Sequence, residues 1–167
     1  MSESLSVPVA LALGSNLGDR LGFLRQAVHS LRSLLSVRSV SPVYETAPAY
    51  VFDQPVFLNA VLVGTTALEP VALLWAVKHM ESDIGRRPTF RYGPRIIDID
   101  ILFYGDTVLK TPELTIPHAR IQERDFVLRP LADIEPLWRH PLTQKTAEDM
   151  LGVLPKGNLT CLGDLLP

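Results

Sequence analysis

The order of the predicted elements along this 167-residue chain favours an α+β fold. Apolar or alternating strands and two amphipathic helices follow one another as strand, helix, strand, strand, helix, strand. This β-α-β-β-α-β order predicts a ferredoxin-like antiparallel sheet with helices on one face. The length predicts a single domain, residues 1–167, and a hydrophobic content of 47% is enough for a sizeable core.

The first half of the pattern begins with a short apolar run, residues 7–13, which we expect to be a buried central strand. A helix follows, with Asn16 or Asp19 as its N-cap. One face of this helix is apolar at helical spacing and should pack on the sheet. Its members are Leu21, Leu24, Val28, Leu31 and Leu35.

The middle of the chain supplies two further strands and the second helix. Residues 37–46 alternate and predict one strand, with Pro42 near a sheet edge, whereas residues 47–55 have no periodicity and predict a loop. Residues 57–66 form a long apolar strand. Residues 69–83 predict a helix with proline in its first turn and glycine just past its end.

The fourth strand, Arg95 to Tyr104, carries two aspartates on one face. Because side chains alternate along a strand, one set of residues faces the core and a second set faces the opposite side of the sheet. The first set is Ile97, Ile99, Ile101 and Phe103, and the second is Asp98, Asp100, Leu102 and Tyr104. Aspartate is depleted in strands, so this pair needs a physical reason.

A metal site gives that reason. Residues two apart on a strand lie about 7 Å apart, and Mg²⁺ is held by one or two carboxylates together with phosphate oxygens and water. Four arginines precede the pair within residues 86–95, and guanidinium groups bind phosphate through two hydrogen bonds. The alternative is a solvated strand face whose aspartates pair with those arginines.

Composition excludes several classes of protein. A net charge of −2 argues against nucleic acid as a partner. The single cysteine, Cys161, permits no internal disulfide. The first sixteen residues do not resemble a signal peptide, and no stretch approaches the ~18 apolar residues of a membrane span. We therefore expect a cytoplasmic protein, without membrane contact, acting as a monomer.

The last part of the chain offers no chemistry of its own. From Glu135 onward the sequence is rich in proline and weakly patterned, and it predicts a C-terminal extension that covers the domain. Trp138, His140 and Cys161 show no metal-ligand spacing.

Four segments in order resemble one family. Residues 91–105, RYGPRIIDIDILFYG, resemble the signature of 6-hydroxymethyl-7,8-dihydropterin pyrophosphokinases, and three further segments match. These are LGSNLGDR at 13–20, FLNAV at 57–61 and TIPHARIQERDFVLRPLADIEP at 115–136. The resemblance implies a ferredoxin-like fold and transfer of the β,γ-diphosphate of ATP to the substrate hydroxymethyl group, with AMP released and two Mg²⁺ ions bound.

The resemblance also assigns roles. Asp98 and Asp100 would hold the metal ions, and Arg86 and Arg95 would stabilise the transferring group, so these four residues form the catalytic set. The pterin set is Thr46, Phe57, Asn59, Tyr92 and Phe126. The ATP set is Glu81, Arg86, Arg95, Ile101, Leu114, Thr115, His118 and Arg124.

Some of these residues also have ordinary structural explanations. The Asn59 side chain could form hydrogen bonds with neighbouring backbone, and the Phe126 ring could pack in the core. Glu81 could belong to a solvated helix face with Lys78. The sequence also departs from the family pattern: Tyr92 stands where tryptophan is common, Phe57 where tyrosine is common, and Ala119 where an aromatic residue is frequent.

Two other functions remain open at this point. One is a non-catalytic ferredoxin-like module that binds a nucleotide or RNA, for which exposed aromatic residues on the sheet and a basic surface would be expected. The other is a Mg²⁺-dependent small-molecule kinase that moves only the γ-phosphate and releases ADP.

Overall fold

The computed structural model describes residues 5–166. The strands are β1 (Val7–Ser15), β2 (Ser36–Val40), β3 (Pro42–Thr46), β4 (Phe57–Thr66), β5 (Asp98–Tyr104), β6 (Leu109–Lys110), β7 (Thr115–Ile116) and β8 (Thr160–Asp164). The helices are α1 (Arg20–Leu31), α2 (Pro70–Ile84), α3 (Asp125–Ile134) and α4 (Ala147–Gly152), with a 3-10 turn at Ile121–Glu123.

The main sheet has the predicted topology. Its order is β5-β1-β4-β3-β8, with β2 also pairing with β4, and all these pairs are antiparallel. Helix α1 connects β1 to β2 and helix α2 connects β4 to β5. The ferredoxin-like α+β prediction is therefore confirmed, and the central strand β1 places its C-terminal end between the ends of β4 and β5.

The two helices between the strands begin and end for local reasons. Asp19 caps α1 by accepting a hydrogen bond from the Gly22 amide at 3.1 Å, so of the two predicted caps this is the one used. Helix α2 has proline in its first turn and ends at Gly85, whose φ of 121° a residue with a side chain rarely adopts.

The predicted second strand is two strands. The break falls at buried Ser41, whose Oγ accepts a hydrogen bond from the Val61 amide at 2.8 Å. Pro42 then opens β3, a position that needs no ladder donor. Pro42 lies near a sheet edge, as predicted, but β3 is not itself the edge strand, because β8 pairs along its far side.

The alternation predicted for the fourth strand holds as far as Leu102. The strand begins at Asp98 rather than Arg95, and its register with β1 shifts at a bulge that leaves Leu102 without a partner. Phe103 therefore packs on the opposite side of the sheet from Ile101, and Tyr104 returns to the side of Ile101. An alternating sequence pattern gives no sign of one extra residue in a strand, so the predicted sides of Phe103 and Tyr104 were wrong.

Both faces of the sheet are covered. Helices α1 and α2 pack on one face over a core that includes Leu11, Leu62 and Ile99. Helices α3 and α4 cover the other face, where their own apolar side chains pack with Val61 and Phe103 of the sheet. The prediction of helices on one face was therefore incomplete, since it did not anticipate that α3 shields the aspartate side of the sheet.

The C-terminal extension is part of the domain. Strand β8 extends the sheet beyond β3, and the backbone oxygen of Leu165 accepts a 2.8 Å hydrogen bond from Arg25. His140 packs its ring edge against Phe103 and accepts two backbone amide hydrogen bonds. Within residues 5–166, none of the helices is both long enough and apolar enough to cross a membrane.

Candidate active site

A cavity of about 870 Å³ opens at the C-terminal end of β1 and the N-terminal ends of β4 and β5. Every site residue predicted from the sequence lines it, including those with alternative structural explanations. They are Thr46, Phe57, Asn59, Glu81, Arg86, Tyr92, Arg95, Asp98, Asp100, Ile101, Leu114, Thr115, His118, Arg124 and Phe126. We call the strand ends and the side chains bonded to them the floor, and the cluster of Tyr50, Tyr92, Arg120 and Arg124 the roof.

Strand register sets the floor. Gly14 of β1 lies between Asn59 of β4 and Asp98 of β5, and Ala12 lies beside Asp100. A side chain at Gly14 would meet the Asn59 Oδ1 at 3.2 Å. Small residues on the middle strand therefore leave open space between the amide on one side and the carboxylates on the other.

Asp98 is held by two arginines. Its Oδ1 accepts a hydrogen bond from Arg86 Nη1 at 2.8 Å, and its Oδ2 lies 3.3 Å from Arg95 Nη2. Burial alone would raise the pKa of the Asp98 carboxyl, but the nearby charges of Arg95, Lys78 and Arg86 outweigh burial and lower that pKa. Asp98 is therefore an anion at neutral pH.

Asp100 is in a different electrostatic state. Burial, together with the negative charge of Asp98, raises the pKa of the Asp100 carboxyl to about 7. Within residues 5–166, Asp100 makes no salt bridge. A carboxylate beside a second one, with too little positive charge of its own, is stabilised by a bound cation.

Glu81 holds the open edge of β5. It is 3% exposed, and its Oε2 accepts hydrogen bonds from the Ile99 amide at 2.7 Å and from Arg86 Nη1 at 3.0 Å. Lys78 Nζ lies 3.2 Å from Glu81 Oε1 and 3.3 Å from the Ile99 oxygen. The interpretation of Glu81 as part of a solvated face was wrong, because this carboxylate supports the backbone between the two aspartates.

Asn16 joins the floor to two loops. Its Oδ1 accepts a hydrogen bond from the Arg95 amide at 2.8 Å, and its Nδ2 donates to Gln54 Oε1 and to the Pro55 oxygen. Arg95 is thereby fixed above the Phe57 ring, with 4.8 Å between its guanidinium carbon and the ring centroid. The tight turn after β1 therefore orients a residue of the catalytic set.

Asn59 carries an unused donor. The residue is 9% exposed, and its Nδ2 has no hydrogen-bond partner within residues 5–166. An unpaired buried amide is costly, on the order of 1–3 kcal/mol. The structural explanation offered for Asn59, in which it bonds neighbouring backbone, therefore does not account for the Nδ2 group, and a ligand edge in the cavity can accept from it.

His118 is neutral. Burial, reinforced by the positive charges of Arg124 and Arg120, lowers the pKa of its imidazole to about 4. Its Nδ1 accepts the Arg120 amide hydrogen at 3.2 Å, so the neutral ring carries its proton on Nε2. His118 is thus a neutral hydrogen-bond donor at the cavity wall.

The roof joins three segments that are far apart in sequence. The rings of Tyr50 and Tyr92 lie 4.4 Å apart, and the Arg120 guanidinium lies 4.8 Å and 5.5 Å from their centroids. Arg124 lies 5.4 Å from the Tyr50 ring and 5.7 Å from that of Phe126. Loop 47–55, loop 86–95 and the segment before α3 therefore meet over the cavity.

Sequence reasoning missed five residues that complete the site. They are Asn16, Tyr50, Gln54, Lys78 and Arg120. Of these, Lys78 was considered only as part of an exposed face, although its spacing of three from Glu81 and its place on the same helix row were visible. The other four act through contacts between loops, for which the sequence contains no periodic signal.

The fold and the site together define a phosphate-handling domain: an acidic pair and arginines at the end of a ferredoxin-like sheet. A family model described as 7,8-dihydro-6-hydroxymethylpterin-pyrophosphokinase matches residues 10–136. The chain belongs to this family, which confirms the resemblance drawn from its motifs.

Individual relatives agree. The chain is 42% identical over 141 residues to 2-amino-4-hydroxy-6-hydroxymethyldihydropteridine pyrophosphokinase of Aquifex aeolicus (strain VF5), covering 84% of this chain and 88% of that protein. It is 50% identical over 127 residues to the mitochondrial folate synthesis bifunctional protein of Pisum sativum, covering 75% of this chain. The match spans 25% of the length of that plant protein.

A solved structure has the same fold. The crystal structure of Plasmodium falciparum HPPK-DHPS, wild type with pteroate, superposes with a TM-score of 0.74 at 19% sequence identity. The superposition covers 91% of this chain and 43% of that one. At this identity the likeness concerns the fold alone.

Proposed function

We propose that this chain transfers the β,γ-diphosphate of ATP to the hydroxymethyl group of 6-hydroxymethyl-7,8-dihydropterin and releases AMP. One observation carries the proposal: the Asp98–Asp100 pair and the unpaired Asn59 amide face one cavity, on either side of β1. A cation and phosphate chain on one side and a heterocycle on the other would bring two substrates together on the floor.

Two Mg²⁺ ions are part of the proposal, with Asp98 and Asp100 as their protein ligands. The donor set fits, because Mg²⁺ prefers oxygen ligands and takes one or two carboxylates, with phosphate and water completing its coordination. Among residues 5–166 there is no cluster of three or more histidine, cysteine or acidic side chains that could hold a metal without the nucleotide. Bound there, Mg²⁺ would neutralise charge on the phosphate chain.

The arginines supply positive charge that does not depend on a metal. Arg86 and Arg95 already meet at Asp98, so their guanidinium groups are held beside the place where phosphate oxygens would lie. The Arg95 Nε is buried and has no partner within residues 5–166. Donors held in place before the reaction stabilise developing negative charge, and each such contact contributes about 3 kcal/mol to transition-state stabilisation.

The pterin is assigned to the β3–β4 side. Asn59 can both donate to and accept from the edge of a heterocycle, and Thr46 is buried at the end of β3, opposite Phe57. Phe57 and Phe126 are the aromatic residues proposed to face the pterin ring, and Tyr92 is proposed to close over it.

The nucleotide is assigned to the β5–β7 side. Ile101, Leu114 and Thr115 line the cavity there and would contact adenine. The neutral His118 would donate from Nε2 to a phosphate oxygen, and Arg124 would bind phosphate as a cation. Both substrates are small molecules, and the chain is proposed to act on them as a monomer.

Separation of the nucleotide products tests the proposal. The chain is incubated with ATP, Mg²⁺ and 6-hydroxymethyl-7,8-dihydropterin, and AMP and ADP are quantified. We expect AMP to form only when the pterin is present. Asp83→Asn, a change at an exposed carboxylate of α2, should leave the rate unchanged and serves as the control for carboxylate removal. Pterin-dependent ADP would make the chain a different kinase, and no turnover of nucleotide would favour a binding module.

A further inference from the structure

The roof contains a tyrosine with more connections than its position in an irregular loop suggests. Tyr50 lies in loop 47–55, and its hydroxyl donates to Glu123 Oε1 at 3.0 Å. The same oxygen accepts a hydrogen bond from Arg124 Nε at 3.2 Å. One hydroxyl thus connects the loop to two neighbouring residues at the start of α3.

The Tyr50 ring makes a second set of contacts. It lies 4.4 Å from the ring of Tyr92 and 4.8 Å from the Arg120 guanidinium carbon. Gln54, in the same loop as Tyr50, donates from Nε2 to the Tyr92 oxygen at 2.8 Å. The two loops are therefore joined by two rings in a tilted contact, by a cation over both rings and by a hydrogen bond from the Gln54 side chain to the Tyr92 backbone oxygen.

Arg124 is the residue on which these contacts act. It lines the cavity and lies near Phe126 and His118. Its Nε is bonded to the Tyr50 oxygen, and within residues 5–166 its two Nη groups have no hydrogen-bond acceptor. A guanidinium fixed at Nε, with both Nη groups unused, is oriented to bind an anion through two parallel hydrogen bonds.

We propose that Tyr50 is a positioning residue for the nucleotide: its hydroxyl orients Arg124 toward the phosphate chain, and its ring, held by Arg120, couples that orientation to Tyr92. The proposal rests on the function assigned above and adds a residue to it. Tyr50 touches no reacting atom and acts through Arg124.

Nucleotide binding separates the hydroxyl from the ring. Calorimetric titration with a non-hydrolysable ATP analogue and Mg²⁺ should show about tenfold weaker binding for Tyr50→Phe, since a hydrogen bond to a charged group is lost. The same change in an Arg124→Ala background should have no further effect. Equal losses in both backgrounds, or wild-type binding by Tyr50→Phe, would overturn the proposal. Phe52→Ala, 77% exposed in the same loop, is the control and should bind normally.

Fluorine NMR tests the roof without any ligand. The chain has four tyrosines, so 3-fluorotyrosine labelling gives four signals that Tyr→Phe variants assign. Arg120→Ala and Tyr92→Phe should each shift the Tyr50 signal and leave the signals of Tyr44 and Tyr104 in place. A Tyr50 signal that responds to neither change contradicts the coupling. Because neither experiment requires turnover, a failure of diphosphate transfer would be seen separately in the product assay.

Discussion

The floor and the roof of the cavity both hold arginines over acidic or aromatic partners, but they hold them by different means. On the floor, Arg86 is fixed by Glu81 and Asp98, which belong to a helix and a strand of the core. On the roof, Arg120 is held by Tyr50 and Tyr92, which belong to loops, and its side chain is 39% exposed.

The floor and the roof therefore differ in how easily they can rearrange. Buried charges that lose their partners cost several kcal/mol, so the floor can change only if the fold changes with it. Exposed contacts between rings and cations are weak and can open without disturbing the core. A site that must admit two substrates needs a fixed surface for chemistry and a cover that can move away, and the two parts of this cavity meet those needs separately.

The largest effect should come from Asp100. We expect Asp100→Asn to lower turnover about a thousandfold or more, because a proposed metal ligand is lost. The amide is nearly isosteric and removes a partly buried carboxyl that makes no salt bridge within residues 5–166, so the unfolding free energy should not fall. Steady-state rates and urea unfolding of the same preparation check both expectations. Near-normal turnover of this variant would contradict the proposal that Asp100 binds Mg²⁺.

Glu81 should show that the floor depends on the fold. Glu81→Ala leaves the Ile99 amide, Arg86 and Lys78 without their shared acceptor, and we expect a loss of about 3–5 kcal/mol in unfolding free energy. Asp83→Ala, on the exposed side of the same helix, is the matched control and should change stability by less than about 0.5 kcal/mol. Equal effects in the two variants would show that Glu81 is only a surface carboxylate.

His118 should make stability depend on pH. Its pKa is about 4 in the fold and 6.5 as the reference value, so the unfolded chain binds more protons between these values. The His118 contribution therefore opposes folding progressively as pH falls from 6.5 to 4, by at most about 3 kcal/mol, and vanishes above that range.

Urea unfolding of His118→Gln at several pH values measures this contribution. The variant should gain stability relative to the natural chain as the pH falls through that window, and His29→Gln, at an exposed position of α1, is measured as the control for histidine removal. A stability difference that stays constant between pH 7 and pH 4.5 would contradict a buried neutral imidazole.

The smallest effect on stability should come from the roof. Arg120→Ala removes contacts with two rings on exposed loops, so the thermal midpoint should stay within experimental error of the natural value. The dissociation rates of both substrates should rise instead, which stopped-flow binding measures. A clear fall in the thermal midpoint would show that the roof contributes to stability as the floor does, and it would contradict the difference between them.

The floor was predictable from the sequence because regular structure repeats. Two aspartates at a spacing of two define one face of a strand without any knowledge of the loops. The limit was the bulge at Leu102, which turns Phe103 to the other face. Only the partner strand reveals such an extra residue.

The roof could not be predicted in the same way. Tyr50 stands in a loop without periodicity, and its partners lie more than forty residues further along the chain. Asn16 was predicted only as a possible N-cap, although its side-chain amide joins the end of β1 to Arg95 and to Pro55. Contacts between loops depend on the final positions of the elements that carry them, and no local pattern records those positions.

In the proposed reaction, two phosphorus atoms move together from ATP to the pterin. Phosphorus NMR of the purified pterin product tests this directly. Diphosphate transfer should give two mutually coupled phosphorus signals, as expected for a diphosphate ester, in a product that forms with AMP. A single uncoupled phosphate signal on the pterin would mean that only the γ-phosphate is transferred, and it would contradict diphosphate transfer.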